Sequence, residues 1–362
     1  MSDLNNNIDI INNKDLKKTP SGGSLSPDKG GPDGVFLGNT GIKYSKLSKW
    51  QLLGMVKDLL SGSGYAVLDC QRPVGQVEIK RGSAGVTIGG IATCKSVWLC
   101  PVCNLRISAE RGDMIRQTQN KDFFMAMLTL TLQHDRGDKL DDVLGALKSA
   151  SSELKQGGFW QRLKKDFGII AYVTAYEITY GQNGWHPHVH MILYFDRVTD
   201  LEILFQILVD RWVHVVDKVG RYASKDHGLD LTKTDAEQGA DYVTKFRSNL
   251  AYELTGQFNK GKTFWELVQQ GKRNLVREYA HATFGLKTLT WSHNAKKILG
   301  IKKNDLKDDD QDLKTLAIIP SEVWQVIRSH ALQGFVLELA EINQDALNNY
   351  LGQLAHEIKN KA

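Results

Sequence analysis

The chain has little cysteine, with four residues in 362, and little net charge, with 46 Lys+Arg against 41 Asp+Glu for +5. It has no apolar run near the roughly 18–20 residues that a membrane helix needs. It has no internal repeat and no phosphate-cradling loop of the GxxxxGK[ST] kind. The opening stretch MSDLNNNIDIINNK carries no apolar segment behind a basic start, so no secretory signal is read there. With scarce thiols, which fit a reducing compartment, these absences point to the cytoplasm. What is present is ordinary for a soluble globular chain, 41% hydrophobic and 24% charged. The length suits two domains plus tails, at about 100–200 residues per domain.

The small net charge hides an uneven distribution. Residues 1–35 hold four Lys and five Asp, net −1, and residues 304–362 hold five basic and ten acidic residues, net −5. Residues 36–303 therefore carry +11. A basic middle between acidic ends suggests a polyanionic partner, although a basic surface with no ligand would give the same count.

Residues 1–34, rich in Asn, Ser, Gly, Pro and Asp, read as a flexible tail. The region 35–115 opens with a helical pattern over Lys43–Leu60 and continues with short β-like segments broken by glycines over Gly64–Cys103. Met125–Gln133 alternates with period two and reads as a strand. Asp138–Asp166 reads as one amphipathic helix. Ile169–Tyr180 and His186–Phe195, around GQNG, read as a hairpin. Thr199–Val216, Thr234–Leu254 and Thr263–Ala282 read as helices. Residues 116–302 thus form the central domain. Asn304–Asp312 is an acidic linker, and Ser321–Lys359 a helical appendage. Helices between strands, with an antiparallel hairpin in the middle, argue for an α+β fold.

The chemistry centres on GQNGWHPHVHMILYF. On a strand, His188 and His190 project to one face, with Val189, Met191 and Leu193 on the other. The hairpin nominates a third ligand. If Asn183-Gly184 is a two-residue turn, Glu177 faces His190; if GQNG is a four-residue loop, Glu177 faces His188. Either puts the carboxylate on the histidine face, and a three-residue loop would turn it away. Two imidazoles and a carboxylate suit a Mn²⁺- or Mg²⁺-type site that handles phosphate oxygens. His186 is a weaker candidate, because Pro187 interrupts the strand. Thr129, Thr131 and Gln133 share one face of their strand, as in any half-buried strand, and His134 follows it. All four cysteines, Cys70, Cys94, Cys100 and Cys103, fall in one region that ends in the tight CPVC turn. Four thiolates so grouped suit a structural zinc site.

The HPHVH stretch resembles the His-hydrophobic-His motif of HUH endonucleases. MLTLTLQH (Met127–His134), EITYGQNGWHPHVHMILYF (Glu177–Phe195) and GADYVTKF (Gly239–Phe246) resemble, in order, three motifs of plasmid rolling-circle replication initiators. EYAHATFGLKTLTWSHNAKKILG (Glu278–Gly300) is similar to the segment that often follows them, so the resemblance covers roughly Cys94–Gly300. It implies an HUH-type central antiparallel sheet flanked by helices, with the Cys-rich zinc-binding part before it. It also implies a metal-dependent endonuclease that nicks and rejoins single-stranded or hairpin origin DNA, in company with a host helicase and DNA polymerase.

The resemblance makes Tyr242 the nucleophile. Its attack would give a 5′-phosphotyrosine link and a free 3′-hydroxyl. Lys245, three residues on, shares a helical face with it and would neutralise phosphate or set the geometry. The position where the subgroup carries a water-activating glutamate is Gln238 here, and Glu237 and Asp241 lie on other helix faces. Position 246 is Phe246, so no second tyrosine follows one turn on. A transposase or mobilisation relaxase would use the same metal and tyrosine, and a non-catalytic DNA-binding regulator could keep the fold.

Overall fold

The computed structural model describes residues 48–83, 85–119, 121–243, 261–302 and 313–361. The tail expected over 1–34 and the acidic linker lie outside them. The described residues belong to one compact unit, Lys46–Ala362.

The first helix, α1 (Lys49–Leu59), starts where Ser48 can cap it. The Ser48 hydroxyl accepts from the Gln51 amide at 3.2 Å, and the Gln51 side chain accepts from the Ser48 amide at 2.7 Å. This reciprocal pair satisfies two donors that a bare helix end leaves open. Strands β1 (Pro73–Gly82) and β2 (Gly85–Ile91) form an antiparallel pair. Helix α2 (Pro101–Arg116) has Cys100 at its N-cap and a proline in its first turn, where a missing N–H costs nothing. Strand β3 (Phe124–Leu130) follows.

The single helix expected over 138–166 is two, α3 (Leu140–Leu154) and α4 (Gly157–Phe167). They part at Gly157, whose φ of 68° is left-handed and cannot continue a helix. Then come β4 (Ile169–Gly181), β5 (Gly184–Phe195), α5 (Leu201–Lys218), β6 (Leu229–Thr234) and α6 (Ala236–Val243). The helix expected over 263–282 also divides, into α7 (Phe264–Gln269) and α8 (Arg273–Ala282), at Gly271 with φ 64°. Strand β7 (Leu289–Trp291), the short helix α9 (Ala295–Ile298), β8 (Lys314–Ile319), α10 (Ser321–Ser329), α11 (Gln333–Ile342) and α12 (Gln344–Lys361) complete the described chain.

The fold is α+β, built on a five-stranded antiparallel sheet of order β6-β3-β5-β4-β7. Alternation along β5 sends Val189, Met191, Leu193 and Phe195 to one face, where α3, α4 and α5 bury them. Ile192 and Tyr194 point to the other face and pack with Ile115 of α2 and with Ala236 and Ala240 of α6. Helix α6 lies so close to β5 that a Cβ on Gly239 would stand 2.9 Å from Ile192 Cδ1. A third core joins α1, α7 and α8 with the cysteine segment.

The C-terminal helices form as expected, but they are tied to the front of the chain. Strand β8 pairs with β1 in a three-stranded sheet of order β2-β1-β8. The Trp324 indole of α10 donates to the Gln71 carbonyl at 3.1 Å, next to Cys70.

Candidate active site

The hairpin of β4 and β5 turns on Gln182 and Asn183, with Gly181 opposite Gly184. Gly184 has φ 84°, and a Cβ there would meet the Arg136 backbone at 3.0 Å, so the turn requires glycine twice over. Glu177 is opposite His188 and Thr179 opposite His186. This is the register expected from the longer of the two even loops, and the carboxylate falls on the histidine face. It reaches diagonally: Glu177 Oε2 is 2.9 Å from His190 Nε2, and both residues are buried.

His190 is oriented from behind. Thr129 of β3 lies opposite it, and the Thr129 hydroxyl is 3.1 Å from His190 Nδ1. A hydrogen bond on one imidazole nitrogen fixes which nitrogen is left for a ligand. The threonine face of β3, uninformative in sequence, thus supports the histidines. Thr131 does the same for His186, Oγ1 to Nε2 at 3.3 Å.

Pro187 does not interrupt the strand, contrary to expectation. It pairs with Ile178 beyond the last residue of β3 that β5 pairs with, where a ring lacking N–H is tolerated. His186 consequently stays in line. Its ring stacks on His188 at 4.0 Å, His188 lies parallel to His190 at 5.9 Å, and His134 closes on His186 at 4.4 Å. Burial, then the neighbouring His134 charge, push the His186 imidazole down to about 4 against the pull of Glu177. Asp230 of β6 is opposite Thr129 and adds an exposed carboxylate to this end of the sheet. It escaped the sequence reading because β6 was not read as a strand.

Glu177 and His190 stand at hydrogen-bond distance, and His188 lies parallel to His190 with ring centroids 5.9 Å apart. Among the described residues only the four cysteines bring three or more ligand atoms within 4.8 Å of one another. Replacing Thr129 by valine keeps the shape and removes the bond to Nδ1. Thr129→Val should weaken Mn²⁺ binding about 10–100-fold, read by metal titration, with the fold unchanged.

Tyr242 lies on α6, the helix packed on this same sheet face. The Asp235 carboxylate caps the helix, accepting from the Gln238 amide at 2.8 Å. The Gln238 side chain accepts from the Thr234 hydroxyl at 3.4 Å. Arg116, at the far end of α2, holds α6 by its two acids: Nε to Glu237 at 3.0 Å and Nη2 to Asp241 at 3.0 Å. Nothing in the sequence singled out Arg116. Lys245 lies outside the described residues.

The four thiols converge at the other end of α2. Sγ of Cys70 is 3.6 Å from that of Cys100 and 3.9 Å from that of Cys103, and Cys94 is 3.7 Å from Cys103. These are the edges of a tetrahedron: four sulfurs about 2.3 Å from one ion would lie roughly 3.8 Å apart. The Cys100 sulfur also accepts from the Cys103 amide at 3.4 Å. Hydrogen bonds from Cys100 and then Cys103 hold the Cys70 thiol well below its usual range, and the Cys100 proton is harder to remove in turn. The cluster can hold a metal ion.

A family model described as "Replication protein" (Rep_1) matches residues 87–322. The chain belongs to this replication protein family. The Rep_1 match takes in the histidine hairpin, α6, the trailing segment and three of the four cysteines. The chain is similar to "Protein rep" of Streptomyces lividans, 26% identical over 324 residues, covering 67% of this chain and 71% of that one. It is also similar to "Neomycin resistance protein" of Streptomyces cyanogenus, 28% identical over 151 residues, 33% of this chain and 35% of that one. No solved structure matches. Among the described residues no helix is long and apolar enough to cross a membrane.

Proposed function

We propose that this Rep protein initiates rolling-circle replication of a plasmid by nicking one strand of origin DNA through Tyr242. The observation that carries the reading is the pairing of Glu177 with His190 at 2.9 Å, with His188 alongside, on the sheet face that also seats the tyrosine helix. Those three residues would hold a Mn²⁺ or Mg²⁺ ion, which supplies Lewis acidity toward a phosphate oxygen.

In the reaction the Tyr242 phenol oxygen attacks phosphorus and its proton passes to solvent. The bond from phosphorus to the 3′ oxygen breaks, and that oxygen takes up a proton. The products are a 5′-phosphotyrosine and a free 3′-hydroxyl, and attack by a 3′-hydroxyl reverses the step and rejoins the strand. Phenol ionises near 10, so the attack relies on charge withdrawn from the phosphate. Lys245, by its spacing, serves the same end.

Gln238 cannot take a proton, and Arg116 engages Glu237 and Asp241. Resolution of the link by a 3′-hydroxyl is thereby favoured over hydrolysis. The four cysteines hold a structural zinc ion. Origin DNA, single-stranded or hairpin, binds the basic middle of the chain, while a host helicase unwinds and a host polymerase extends the primer, all in the cytoplasm.

The test is direct. Purified protein mixed with origin single strand and Mn²⁺ should yield a protein–DNA adduct that survives denaturing electrophoresis, and EDTA should abolish it. No adduct under any divalent ion would leave a DNA-binding regulator and sink the nicking reading.

A further inference from the structure

A cleft of about 280 Å³ opens where the cysteine segment meets the turn between α8 and β7. Its walls carry three cations, Lys95, Arg111 and Lys287, and three aromatic rings, Tyr65, Trp98 and Phe284. Among the described residues no Asp or Glu lines it. Phe284 is 78% exposed. Its ring meets Tyr65 at 6.1 Å and 52°.

The platform is held firmly. The Trp98 indole donates to the Leu286 carbonyl at 2.8 Å, fixing the Phe284 turn against the cysteine segment. Arg111 donates to the Thr288 hydroxyl, which keeps its guanidinium at the rim. Lys95 has φ 55°, a left-handed conformation that non-glycine residues rarely take and that gathers at binding sites. The cleft also adjoins the sheet of the site, for the Thr288 carbonyl accepts from the amide of Tyr176, the residue before Glu177.

We propose that this cleft binds one unpaired nucleotide of the DNA substrate, its base stacked on Phe284 with the Tyr65 ring at its edge, and its phosphate among Lys95, Lys287 and Arg111. Rings with a π-face accept any base, and cations around them track the backbone; the two together are how single strands are held. The volume is at the small end for a ligand pocket and admits a nucleotide but no duplex. The inference rests on the nicking proposal only for the source of the strand. It gives the zinc-bearing part a task of its own, gripping the single strand beside the nicking site.

The experiment uses the full chain and labelled oligo-dT, read by fluorescence anisotropy. Phe284→Ala should weaken binding about tenfold or more, while Phe284→Trp stays within about twofold of wild type. Lys95→Ala with Lys287→Ala should reduce the salt slope by up to about 0.7, the share of one phosphate on a single strand. Affinity for duplex should change far less in each variant. An exposed ring should leave the thermal melt unmoved, and Phe284→Leu, which keeps apolar bulk, should behave as the alanine variant does. Unchanged oligo-dT affinity in a folded Phe284→Ala protein would overturn the proposal. Failure of the wild type itself to form adduct counts against nicking and leaves the binding result standing.

Discussion

Tyr242→Phe should remove the covalent DNA adduct altogether while leaving DNA and Mn²⁺ binding intact. The change deletes one oxygen atom. If that oxygen attacks phosphorus, no bond to DNA can form, and cleavage should fall by at least about 10³-fold, the scale of losing a nucleophile. The helix should survive. Its cap comes from Asp235, and its seat on the sheet from Ala236, Gly239 and Ala240. Arg116 pins it through Glu237 and Asp241. None of these anchors is residue 242 itself. The measurement is a denaturing gel of labelled origin strand with Mn²⁺, beside anisotropy for binding. An adduct of equal yield would show that another residue attacks, and the assignment of Tyr242 would fall.

The hairpin that carries the site could be read from the chain because it is local. Alternation on both sides of GQNG fixes which residues share a face, and the pairing of Glu177 with the histidine side follows from any even loop. The cysteine cluster was likewise legible from spacing. What escaped depends on distant partners. LDLTKT becomes β6 only because β3 offers it an edge. KTLAII becomes β8 because β1, far back in the chain, has a free side. Pro187 looks like a strand breaker until one sees that β3 has already ended beside it. Gly157 and Gly271 each looked tolerable inside a helical pattern, and each marks a break through its left-handed backbone. The Arg116 bridge joins residues far apart in sequence, so no window of sequence contains it.

Cys103→Ser should strip the proposed zinc ion and lower the melting temperature by roughly 10 °C or more. Cys70, Cys100 and Cys103 are buried in the core that joins α1, α7 and α8, alongside Trp98 and Trp265. Thiolates left there without a cation would be costly, so the cluster would keep protons and lose its shared centre. A structural zinc supplies about 10–16 kcal/mol in small zinc modules, as much as the whole net stability of a typical domain. Metal analysis should find about one zinc per wild-type chain and almost none in the variant. The effect should reach the tyrosine as well. The same helix that begins at the CPVC turn ends at Arg116, about 24 Å away at 1.5 Å per residue, and Arg116 holds α6. Loosening the knuckle end should therefore slow adduct formation even at temperatures where the central sheet remains folded. If purified wild type carries no zinc and Cys103→Ser melts where it does, the four thiols are a packed core and the metal reading is lost. If zinc is lost but adduct formation is unchanged below the melt, α2 does not link the two ends, and the zinc serves stability alone.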